Sequence, residues 1–151
     1  MSEIENTRAI SDIESIRTWL RTCPEIDGNS PFTVDYFDDD PTHYAIYAVP
    51  SAITYKKDIL GNVYEAPIQT KIYYFSVSMP ASEDAAVMME NQESLNSLID
   101  WLATQNLNKN LPEPTGMDVQ SVIPTLTPYA LQPNSNSMTY RISLQMTYRK
   151  E

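Results

Sequence analysis

The chain holds one histidine, His43, and one cysteine, Cys23, so it cannot assemble the imidazole and thiolate clusters that transition-metal chemistry uses. A cysteine–histidine dyad would require a helix end and a strand start to meet; the simpler expectation for His43 is the solvent end of a strand. Asp35, Asp38, Asp39 and Asp40 could gather a hard cation, yet the alternating ligands, central glycine and distal glutamate of a calcium loop are missing. A solvated acidic turn before Pro41 is the expectation. The three glycines, Gly28, Gly61 and Gly116, are too few and too scattered for a phosphate cradle or a dinucleotide loop. Twenty carboxylates always offer some pair at a hydrolytic spacing, so that pattern selects nothing. No enzymatic activity, metal or cofactor is therefore expected.

The elements that would position any surface chemistry fit one domain, residues 1–151, since this length supports one well-filled core. Ten basic against twenty acidic residues give a net charge of −10, which repels phosphate and argues against specific nucleic-acid binding. The same excess keeps a monomer or an assembly precursor in solution. One cysteine allows no internal disulfide and suits a reducing compartment. The acidic opening residues form no secretory signal, and no apolar run is long enough for a membrane span, so synthesis and folding in the cytoplasm are expected.

Ile10, Ile13, Ile16, Trp19 and Leu20 recur at spacings of three and four and predict a helix over about 7–22, with Ser11 and Glu14 as a capping box and Pro24 as its stop. Residues 32–37 allow a short extended piece. A strand over 43–49 and another over 68–79 carry apolar side chains on both faces, as internal strands do. Between them, residues 55–65 read as a protruding hairpin or long loop that turns at Gly61-Asn62. A second helix is expected over 82–105, capped by Ser82, with an inner stripe of Val87, Met88, Asn91, Leu95, Leu98, Ile99 and Leu102. Residues 83–106 contain five acidic and no basic side chains, so its outer face is uniformly negative, facing solvent or forming a wall near DNA.

Residues 118–131 suggest an interrupted edge strand, because Pro124 and Pro128 cannot donate to a ladder, and residues 132–137 are turn material. From 138 to 149 the alternation is strict: Met138, Tyr140, Ile142, Leu144, Met146 and Tyr148 form a core face, and the intervening residues form a wet one. The order of elements predicts an α+β fold, a two-layer sandwich of a mainly antiparallel sheet with two helices packed on one face.

Ten tyrosines and seven methionines are many for this length, and both residue types are enriched at protein interfaces, although most should serve the core. The hairpin differs, because a projecting arm bearing Ile59, Leu60, Val63 and Tyr64 needs a neighbour to bury them. These four are the candidate subunit-interface residues.

In the order and texture of its segments the whole chain resembles the tail terminator or tail-completion proteins of long-tailed bacteriophages. The segments concerned are 16–24 (IRTWLRTCP), 44–50 (YAIYAVP), 71–77 (KIYYFSV), 98–102 (LIDWL) and 140–148 (YRISLQMTY). The resemblance implies a non-enzymatic virion protein at the head-proximal end of the tail. There it would form a hexameric ring that stops tube growth and docks on the head connector, its partners being the tail tube protein and the connector, or a sheath in a contractile tail. A monomeric bacterial protein-binding module of the same fold class is the alternative.

Overall fold

The computed structural model describes residues 9–35, 43–131 and 137–151. Strands β1 (Phe32–Val34), β2 (Tyr44–Val49), β5 (Ile68–Pro80), β8 (Ser137–Lys150) and β6 (Met117–Pro124) lie side by side in that order, and β7 (Tyr129–Ala130) extends the β8 pairing beyond β6. Strands β3 (Tyr55–Lys57) and β4 (Val63–Glu65) form a separate two-stranded sheet. The main sheet is antiparallel except that β1 runs parallel to β2. The fold is α+β, with both described helices, α1 (Asp12–Leu20) and α2 (Ala85–Leu107), contributing to one core.

That core lies on one face of the sheet. The register pairs Val77 with Tyr44 and Tyr140, and Phe75 with Ile46 and Ile142, so successive inward residues of β2, β5 and β8 form layers. Ile16, Trp19 and Leu20 of α1 and Leu95, Leu98 and Leu102 of α2 close over them. Val87, Met88 and Ile99 are only half-buried, so the inner stripe of α2 is narrower than its sequence suggests.

Local chemistry sets the helix ends. Ser11 is extended, and its hydroxyl accepts from the Glu14 amide at 3.2 Å, so α1 starts at Asp12 rather than near residue 7; residues 7 and 8 lie outside the described residues. Thr22 and Cys23 donate three residues back, to Trp19 and Leu20, tightening the exit before Pro24. At α2 the cap is Asp84, not Ser82: Asp84 Oδ1 accepts from Ala86, while Ser82 Oγ accepts from Asp84 one step earlier. Helix α2 therefore begins at Ala85 and runs two residues past the expected end.

Two other expectations are corrected. His43 is not at a solvent end; it is 5% exposed, with Nε2 3.1 Å from Thr33 Oγ1. The second face of β8 is not uniformly wet, because Thr139 and Ser143 are buried there. The interruption expected over 118–131 falls between β6 and β7, and a feature not expected is that β6 shifts register between Val119 and Ser121, where Gln120 makes a bulge. Of the acidic turn, Asp35 adopts φ 56° and takes the Ala48 amide on Oδ1, and Asp38, Asp39 and Asp40 lie outside the described residues, as do 36–37 of the extended piece and 132–136 of the polar turn.

Candidate functional site: a rooted arm

The hairpin of residues 55–65 is an arm built in three parts. Its turn is organised by Asp58, whose Oδ1 accepts from the Leu60 and Asn62 amides at 2.9 Å and whose Oδ2 accepts from Asn62 Nδ2 at 3.1 Å. Gly61 follows at φ +88°, a left-handed conformation that a side chain would strain. The Asn62 contacts, first of all, hold the Asp58 carboxyl below its ordinary value, so the turn keeps its anionic anchor at neutral pH.

The shaft pairs Lys56 with Tyr64 and Lys57 with Val63, so each face of the arm carries one cation beside one apolar side chain. Both lysines are exposed.

The root is polar and buried. Gln69 of β5 is 3% exposed; its Oε1 accepts from the Thr54 amide at 2.9 Å, and its Nε2 donates to the Thr54 and Ala66 carbonyls, each at 2.7 Å. A single amide side chain thus satisfies both ends of the arm, with the Ala66 amide donating to Thr54 as well. Lys150 of β8 pairs with Glu65, which raises the lysine's affinity for its proton.

Beyond this root the four candidate residues stand free of the core. Ile59 is 100% and Leu60 84% exposed, and Val63 and Tyr64 are exposed too. Ile53 and Tyr55 near the base add to the same surface. An arm tied down by buried hydrogen bonds yet apolar at its tip is pre-organised, so little ordering entropy opposes its burial by another chain.

Under the root lies a cleft of about 370 Å³ lined by Asp12, Val49, Ile53, Ile72, Tyr73 and Tyr148 among others. Asp12 Oδ2 accepts from Tyr73 Oη, and Lys71 Nζ lies 3.3 Å from the same oxygen. Burial pushes the Asp12 carboxyl up, but the Tyr73 hydrogen bond and Lys71 outweigh it and leave it below the ordinary value. Burial and then the carboxylate push the Tyr73 phenol far up, so it stays a donor. Asp12 with Lys71 and Tyr73 thus ties α1 to β5, and Glu65 with Lys150 ties the arm to β8.

Among the described residues no group of three or more His, Cys, Asp or Glu could hold a metal ion, and no helix is long and apolar enough to cross a membrane. Cys23 is buried, and burial raises its thiol above the ordinary value. The sequence marked the arm through Gly61-Asn62 between short apolar segments; it gave no sign of Gln69 as its root, since a lone glutamine at a strand start has no distinguishing pattern.

No family model matches this chain, and no curated protein matches it. One similar solved structure shares 14% identity over 100% of this chain and 97% of that chain, with a TM-score of 0.46, a likeness too slight to bear on function.

Proposed function

We propose that this chain is a structural subunit of a bacteriophage tail: a terminator that forms a ring, hexameric in the family it resembles, on the head-proximal end of the tube. The observation that supports this best is the arm, whose tip residue Ile59 is fully exposed while its root is fixed by the buried Gln69. A rigid apolar projection is costly to leave in water, and a ring of identical subunits gives each arm a neighbour. On this reading the partners are further copies of the chain, the tail tube protein, and the head connector or a sheath. The chain acts by occupying the growing end of the tube, and no catalytic step is required of it. The net charge of −10 would let DNA pass a ring lumen without adhering.

The test is tube capping. Purified chain added to polymerising tube protein should yield tubes of arrested length with density at one end in electron micrographs. Tubes that grow without limit and carry no added density would favour the monomeric protein-binding module instead.

A further inference from the structure

The arm needs a receiving surface, and the outer face of α2 has the complementary character. Met89, Glu93, Asp100 and Leu107 fall within about 40° of one another around the helix axis, forming one line about 27 Å long. All four are exposed, Met89 by 60% and Leu107 by 82%. An acidic centre thus lies between two apolar ends. Glu90 stands beside this line, and residues 83–106 contain no basic side chain. Among the described residues no ion pair involves α2, so none of their cations offsets the like charges of this helix.

The arm carries the matching pattern. Lys56 and Lys57 are adjacent and exposed in a chain that has twice as many acidic as basic residues, and Ile59 and Leu60 lie just beyond them. Among the described residues neither lysine pairs with a carboxylate. From Tyr55 to Asp58 the arm extends about 10 Å before it turns, comparable with the roughly 10 Å of helix between Asp100 and Leu107, so a cation can sit over the acidic centre with the tip on an apolar end.

We infer that the arm of one copy docks on the outer face of α2 of a second copy, with the lysine of the arm face that is turned inward, Lys56 or Lys57, against Glu93 and Asp100 and the Ile59-Leu60 tip against Leu107 or Met89. This deepens the ring reading and rests on it. The contact joins two different surfaces, head to tail, so each copy both gives an arm and receives one, which is the interface type that closes rings.

The test uses a zero-length carbodiimide, which links a lysine only to a carboxylate in direct contact. An equal mixture of light and nitrogen-15-labelled full chain, concentrated and at low salt, is treated and digested. The expected products are mixed-isotope peptides joining Lys56 or Lys57 to Glu93 or Asp100, their yield falling steeply as salt is added. Reversal of the acids (E93K with D100K) should lower the yield of inter-copy products by about tenfold or more, and adding K56E with K57E should restore self-association measured by sedimentation. Circular dichroism checks that each variant folds. Products that join the arm to other carboxylates, or no inter-copy product at all, overturn the docking. If tubes are nevertheless capped, the receiving face alone is wrong and the terminator reading stands; inter-copy links without capping would uphold the docking and remove the terminator reading.

Discussion

The Tyr73 hydroxyl, on the central strand, donates to Oδ2 of Asp12, the first residue of α1. This bond fastens the helix to the sheet beside the root of the arm, and Lys71, 3.3 Å from the same oxygen, adds a cation. Tyr73→Phe keeps the ring in the core and removes only the donor. We expect a loss of about 1.5–3 kcal/mol, the usual scale for a hydrogen bond to a charged group, measured by denaturant unfolding.

The same carboxyl makes stability depend on pH. Asp12 is held below its ordinary value of 3.8, so its ionised form stabilises the folded chain above that value and the contribution is lost as pH falls through the lower, folded one. The stability difference between wild type and Asp12→Asn should therefore be full at neutral pH and shrink progressively below about 3.8. A difference that stays constant into acid would show that the charge of Asp12 contributes nothing.

Gln69→Leu removes the amide that ties Thr54 to Ala66 and leaves the Thr54 amide and the buried Ala66 carbonyl without their side-chain partner, while the Thr54 carbonyl keeps the Ala66 amide. Unfolding free energy should fall by about 2–3 kcal/mol. Hydrogen exchange should accelerate in residues 54–66 well beyond that global loss, and equal acceleration throughout the chain would mean that Gln69 is not specific to the arm.

Asn106 guards the open edge of the sheet. Its Oδ1 accepts from the Val122 amide at 2.8 Å and its Nδ2 donates to the Val122 carbonyl at 2.7 Å, so the side chain mimics a neighbouring strand along β6. Pro124 lacks an amide two residues on. Asn106→Ala should cost about 1–3 kcal/mol and increase aggregation on mild heating, followed by light scattering.

The tip of the arm separates folding from assembly. Ile59 and Leu60 touch no part of the core, so the pair Ile59→Asp with Leu60→Asp should leave unfolding within about 0.5 kcal/mol of wild type. The same variant should fail to assemble on tubes. Loss of the circular dichroism signal would put those residues in the core of the subunit instead.

Elements with strong periodicity were legible in the sequence. The alternation over 138–149 locates β8 to within a residue at each end, and the spacing of three and four between Ile13, Ile16 and Leu20 locates α1 once Ser11 is taken as its cap. The choice between Ser82 and Asp84 was open to local chemistry, because both accept backbone amides in the same short segment. What the sequence hid depends on long-range contact. Nothing in residues 32–34 announces a parallel pairing with β2, and burial of Thr139 and Ser143 contradicts a polarity pattern that binary reading takes as solvent. The exposed tip of the arm was readable from its turn, whereas Gln69, Lys150 and Asn106 are ordinary polar residues until the fold brings their partners to them.

Immunogold electron microscopy of tailed particles, with an antibody raised against this chain, tests the central claim most directly. The account predicts label confined to the head–tail junction, and to the blunt upper end of tails that have lost their heads. Absence of label from both intact and disrupted particles would contradict it.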